Sequence, residues 1–317
     1  MDVDTPVPRL PLLKPWYRLL ETPDGLLLEH GRSTVCFGGA AATRLLPALL
    51  PLLDGSRTVD EVVAALGRPV EAAVEHALGL LARHSLLTEG PSPGAGSPTR
   101  LERTALFLAQ VAPLPPARIR ERLEEARVLL EGDGELAAAT RRLLRRSGVA
   151  CAQAENRATF LATAAARAGD PLLDRRNALA LERGTPWLPF GCFDGAAATV
   201  GPLVVPGETA CYRCAVLRRD ATSGCTAELA SLRPVPVRAP IGPTLVAAIA
   251  AIAAERILRW LGFGDPRLPG SIATVAVAPR LELADDVVLR APRCPACSGA
   301  AVSGVPLPWH EARWAIA

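Results

Sequence analysis

Two cysteine couples have a spacing suited to chemistry: Cys211-Tyr212-Arg213-Cys214 and Cys294-Pro295-Ala296-Cys297, with residues 215–293 between them. Thiolates three positions apart span one edge of a tetrahedral metal, and two such knuckles complete a four-cysteine zinc site. Such a site keeps no open coordination position, so its metal would hold structure and not activate substrate. Two disulfides, or buried free thiols, are the competing uses of the same residues. The first residues carry no secretory signal pattern, and a reducing cytoplasm is the expected setting, where thiols bind metal in preference to each other. Zinc would then pin the last segment of the chain back onto the body that carries the first couple.

A second stretch has the form of a phosphate cradle. An apolar run from Ala126 to Leu130 leads into Gly132-Asp133-Gly134-Glu135-Leu136-Ala137 and then into a helical pattern over Ala138 to Arg146. Strand, glycine turn and helix place backbone N–H groups where a pyrophosphate would sit. Gly132 and Gly134 are in place, and Ala137 substitutes for the third glycine. Three acids, Glu131, Asp133 and Glu135, crowd the same spot, and each opposes an anion at a helix start by roughly half a kcal/mol. The expectation is an architectural turn, with ATP not bound.

The chain that must position these residues has 317 amino acids, enough for two domains, with 50% apolar residues and a net charge of +3. So small a charge gives no reason to expect nucleic acid or an anionic membrane as partner. The longest apolar run, Leu245 to Ala254, falls well short of the ~20 residues of a membrane span. Positive charge is almost all arginine; Lys14 is the only lysine.

Residues 1–89 read as a small α/β module. Runs over Trp16–Glu21, Leu26–His30 and Ser33–Phe37, broken by Pro23-Asp24-Gly25 and Gly31-Arg32, predict three antiparallel strands. Helical spacing follows over Ala40–Leu53, where Pro47 and Pro51 disturb the geometry. Thr58-Val59-Asp60-Glu61 opens a helix to Leu66, and Pro69 starts another with Val74, Leu78 and Leu81 on one face. This order of elements is a winged helix-turn-helix. A duplex binder needs a cationic face, whereas residues 1–90 hold 8 basic and 11 acidic side chains. Residues 90–100, rich in Gly, Pro and Ser, form a linker, and 101–317 make the second domain. There, strands are expected over Trp187–Phe193, Ala196–Val200, Ile272–Val277 and Val287–Leu289, with a buried helix over Ile241–Gly262.

The stretch Leu53 to Val63, following three strands, resembles the PqqD-type module that holds leader peptides of ribosomally made, modified natural products. The resemblance implies that a leader adds as a strand to the third strand and lies against the third helix. The contact residues would be Ser33, Thr34, Val35, Cys36 and Phe37, with Val74, Leu78 and Leu81 facing them. Strand addition is sound physics, because an open edge offers unpaired N–H and C=O groups.

The glycine turn, Gly201-Pro202-Leu203-Val204 before the first couple, the helix after Ile241 and the second couple together resemble the ThiF and MoeB class. In that class a C-terminal carboxylate is adenylated with ATP, and four cysteines hold structural zinc. The departures bear on nucleotide binding: no aspartate lies between Gly134 and Gly169, and no lysine follows Lys14. The interval before Asp170 is also too short for the usual second strand with its ATP contacts. Cys225 lies where relatives carry a cysteine in the crossover loop; with no histidine nearby in sequence, a bystander thiol is the default and a nucleophile the alternative.

A PqqD-like module joined to a ThiF-like body resembles the partner proteins of YcaO cyclodehydratases in azole and thiopeptide biosynthesis. The resemblance implies a non-catalytic, leader-binding adaptor, cytoplasmic and homodimeric. It would present a precursor peptide to a YcaO-type enzyme that uses ATP to close rings at Cys, Ser or Thr. The alternatives are an enzyme adenylating a peptide carboxylate and a winged-helix DNA regulator.

Overall fold

The computed structural model describes residues 6–90, 98–165, 170–225, 228, 231 and 240–298. The chain divides into two compact units, Met1–Glu121 and Arg122–Ala317. The greater part of the expected linker and residues 299–317 lie outside the described residues.

In the first unit, β2 (Arg18–Thr22), β3 (Gly25–His30) and β4 (Ser33–Gly38) form an antiparallel sheet in the order β2-β3-β4. A separate ribbon pairs β1 (Pro11–Leu13) with β5 (Leu87–Glu89). The apolar run after Gly39 does not make one helix. It breaks into α1 (Ala40–Arg44), α2 (Leu46–Leu49) and a 3-10 turn over Leu50–Leu52, because Pro47 and Pro51 have no N–H to continue the ladder. Helix α3 (Val59–Leu66) starts as the sequence predicts. Thr58 Oγ1 accepts the Glu61 N–H at 3.3 Å, and Glu61 Oε2 accepts the Thr58 N–H at 2.7 Å. Thr58→Ala should lower the stability of this unit by about 1 kcal/mol, measured by urea unfolding. Pro69 sits in a 3-10 turn, and α4 begins two residues later, over Glu71–Arg83. Helix α5 (Arg100–Ala109) follows, and α6 (Pro116–Glu125) leads into the second unit.

The second unit is built on a seven-stranded sheet in the order β12-β11-β10-β9-β8-β6-β7. Strands β6 (Arg127–Glu131), β7 (Ala150–Cys151), β8 (Phe160–Ala165) and β9 (Trp187–Gly191) run parallel. Strands β10 (Ala197–Val200), β11 (Ser271–Ala276) and β12 (Glu282–Val287) continue the sheet antiparallel. β8 and β9 are buried at every position, as parallel strands covered on both faces must be. Helix α7 (Glu135–Arg146) packs along α10 (Pro243–Phe263), and α8 (Pro171–Arg183) packs against α9 (Tyr212–Thr222). Among the described residues no helix is long and apolar enough to cross a membrane.

Three expectations change. The last strand is Glu282–Val287, earlier than the expected Val287–Leu289, and it pairs in full register with β11. The second parallel strand does exist, reduced to the two-residue edge strand β7. Beyond it lies β8, which the sequence reading passed over. Its sequence, Phe-Leu-Ala-Thr-Ala-Ala, is dominated by alanine and has one β-branched residue, so it lacks the usual strand composition.

Candidate metal centre, strand edge and glycine turn

The four knuckle cysteines come together. Cys211 stands immediately before α9 with extended backbone, and Cys214 lies in the first turn of that helix. The start of α9 is fixed by Asn177 of α8, whose buried Oδ1 accepts the Tyr212 N–H at 3.0 Å. Trp187 stacks edge-on against Tyr212, ring centroids 6.0 Å apart. The Cys211 sulfur lies 3.8 Å from that of Cys214 and 3.6 Å from that of Cys294, and Cys214 lies 3.5 Å from Cys297. All four sulfurs fall within 4.8 Å of one another.

These separations are too long for S–S bonds of ~2.05 Å. They match the edge of a zinc tetrahedron, about 3.8 Å for Zn–S bonds of ~2.3 Å. Cys211, Cys214 and Cys294 are fully buried. Hydrogen bonding from the Cys211 thiol, helped by the Ala291 N–H at 3.3 Å, holds the Cys214 thiol well below its ordinary range, at about 4. Cys211 is pushed up, chiefly by that same hydrogen bond and by burial. Four thiolates in this space can coexist only around a cation, and the donor set suits zinc.

Two arginines brace the second knuckle. Arg218 of α9 donates to the Leu289 carbonyl, and to that of Arg290 at 2.8 Å. Arg290 in turn donates to the carbonyls of Gly207 and Cys297, both at 3.1 Å. Neither arginine is singled out by sequence: Arg218 reaches 71 and 72 positions along the chain, and Arg290 joins Gly207, 83 positions away, to Cys297.

In the first unit β4 pairs with β3 on one side, and its other side has no partner strand among the described residues. Ser33, Thr34 and Cys36 are exposed, while Val35 and Phe37 pack partly on the core. The helix residues expected to face a peptide do not. Val74, Leu78 and Leu81 are 0%, 1% and 0% exposed and fill the core with Leu28, Leu49 and Val62. The helical periodicity that singled them out marks the buried face of α4. The side chain reaching β4 from that helix end is His84, whose ring sits edge-on to Phe37 at 5.7 Å.

At the glycine turn, three parallel strands end together. Gly132 has φ +107°, and a Cβ there would lie 2.2 Å from the Ala164 carbonyl; Gly191, at φ +109°, would meet the Ala165 carbonyl at 2.2 Å. Buried Ala137 lets α7 settle against the sheet. A cavity of about 180 Å³ opens here, lined among others by Asp133, Gly134, Glu135, Gly191 and Val246. The third acid is held elsewhere: Glu131 pairs with Arg176 of α8, which also pairs with Glu155. Arg183 reaches Glu155 at 3.1 Å. Burial raises the Glu131 carboxyl, against the pull of Arg176.

Cys225 is exposed, and its N–H donates to Ser223 Oγ at 3.1 Å. The described part of its unit contains no histidine to act as base. Cys192, beside the turn, is pushed up to about 12 by burial.

No family model matches the chain, and no curated protein does. Solved structures do. The heterocyclase TruD shares 24% identity at a TM-score of 0.70, over 92% of this chain and 43% of that one. MccB of E. coli with ATP shares 14% identity at a TM-score of 0.65, over 90% and 99%. The microcin C7 biosynthetic enzyme MccB with N-formylated MccA gives 13%, 0.64 and the same coverage. The chain shares the fold of the heterocyclase TruD and of MccB. This chain spans about two fifths of the heterocyclase, 43% of its length.

The similarity corrects the expectation of a non-catalytic protein. Chains that share this fold include a heterocyclase and a biosynthetic enzyme, the latter solved with ATP. The expectations of a non-catalytic protein and of no ATP therefore have no support.

Proposed function

We propose that the chain is part of an enzyme that heterocyclises a ribosomal precursor peptide. Its first unit acts as a PqqD-like winged helix that captures the leader, and its second is a ThiF-like body with structural zinc. The ring-closing step, addition of a Cys, Ser or Thr side chain to the preceding amide carbon with the amide oxygen leaving as phosphate while ATP becomes ADP, would be completed with a YcaO-type chain or domain. The observation that carries this reading is the fold shared with a heterocyclase over 92% of the chain. Supporting it is the unpaired edge of β4, whose backbone groups suit a captured strand. MccB, whose fold is shared, has been solved with the peptide MccA.

The test is leader binding to the full chain, with a fluorescent leader peptide encoded beside the gene. Binding should be saturable, and Cys36→Pro, which removes an N–H that points to the free side of the edge strand, should weaken it at least tenfold. Zinc content, which reports the other unit, should stay at that of wild type. Unchanged affinity in the variant would overturn strand capture. Pyrophosphate exchange with peptide and ATP, without any partner, would instead favour carboxylate adenylation.

A further inference from the structure

The free edge of β4 offers different surroundings to alternate positions along it. Its register with β3 pairs His30 with Ser33 across the Gly31-Arg32 turn, then Leu28 with Val35 and Leu26 with Phe37. In a hairpin with a two-residue loop the hydrogen-bonded pairs start at the loop and alternate. Ser33, Val35 and Phe37 therefore direct their N–H and C=O groups to β3. Just past the strand, the Gly39 N–H donates to the Asp24 carbonyl in the same phase. Thr34 and Cys36 are left with both backbone groups on the free side. Side chains alternate too: Val35 and Phe37 pack partly on the core, while Thr34 and Cys36 are exposed on the opposite face. On the core face Leu26, the partner of Phe37 in β3, is 2% exposed. His84, at the C-terminal end of α4, is exposed, and its ring meets that of Phe37 at 87°. Leu80, one turn earlier on the same flank of α4, is half-buried.

We infer that this edge selects an extended peptide with large apolar side chains at two positions separated by one residue, and that His84 is a specificity-determining residue for one of them. The inference rests on the strand capture proposed above and names what the captured segment must carry. A segment added beside β4 hydrogen-bonds to Thr34 and Cys36. Its residues directly across from Val35 and Phe37 turn their side chains to the core face, two positions apart, and the residue between them turns outward beside Cys36. The side chain across from Phe37 is met by the Phe37 and His84 rings, and the one across from Val35 by an aliphatic wall. The outward residue faces solvent and an exposed thiol. Reading by α4 thus falls to its exposed end, because Val74, Leu78 and Leu81 are already used in the core.

The test is an alanine scan of the same fluorescent leader, read by anisotropy against the full chain and its His84 variants. Two leader positions separated by one residue should each lose roughly tenfold in affinity on replacement, and the residue between them less than about threefold. His84→Ala should weaken the unaltered leader roughly fivefold. In that variant, alanine at one of the two positions should cost at most about twofold more, while alanine at the other keeps its roughly tenfold loss. His84→Phe, which keeps a ring against Phe37, should bind the leader within about twofold of wild type. A purely structural effect of His84 would leave both alanine losses intact, and that result would overturn its role. Losses at consecutive residues, or at a helical spacing of three or four, would overturn the alternating pattern, while weakening by Cys36→Pro would leave strand capture standing. A leader that binds Cys36→Pro as well as wild type would remove strand capture itself, and this inference with it.

Discussion

Replacing Cys294 and Cys297 together by serine should reduce metal content from about one zinc per chain to none and lower the stability of the second unit by about 4–5 kcal/mol. The size follows from topology. Cys211 and Cys294 lie 83 positions apart with sulfurs 3.6 Å from each other. A cross-link closing a loop that long removes roughly 4–5 kcal/mol of chain entropy from the unfolded state. Losing two thiolates also leaves Cys211 and Cys214 buried beside polar hydroxyls with no cation to unite them. Elemental analysis and thermal unfolding read the two effects separately. Cys225→Ser, at an exposed position outside the cluster, should change neither. Full zinc content in the double variant would contradict the site.

Gly132→Ala should be far more damaging than Gly134→Ala, two residues further along the same turn. Its Cβ would sit 2.2 Å from the Ala164 carbonyl, at a φ of +107° that other residues rarely adopt. Steric overlap and strain together should cost about 3 kcal/mol or more and pry apart the ends of β6 and β8. Gly134→Ala provides the comparison. It also has positive φ, +86°, but nothing lies within 4 Å of its Cβ, so only the conformational cost of about 1–2 kcal/mol applies. Urea unfolding of both variants should therefore rank Gly132 well above Gly134. Equal losses would mean that the close approach of the two strands does not exist.

How far such features can be read from sequence depends on whether their physics is local. Cysteine spacing, the Thr58–Glu61 box and the turn at Gly132 are local patterns, and each led to the right element. The expected peptide-binding residues fared unevenly: a strand, β4, lies where the pattern put it, yet Val74, Leu78 and Leu81 are core. Apolar periodicity identifies the face that packs, and a peptide-binding face must be found from what packing leaves over. β8 escaped notice because burial by neighbours, not composition, makes it a strand. Arg176, which holds Glu131, joins elements far apart in sequence. No short pattern announces such a pairing, and it alters the charge that acids near the turn present to a ligand.

The split of the metal ligands between two distant knuckles also bears on the order of assembly. A nascent chain carries Cys211 and Cys214 out of the ribosome long before Cys294 and Cys297 exist. The first pair must wait as open thiols while α10, β11 and β12 are synthesised. Zinc capture by four thiolates would thus be a finishing step, and the fraction of chains completing it would track the supply of free zinc and reductant at the moment of synthesis.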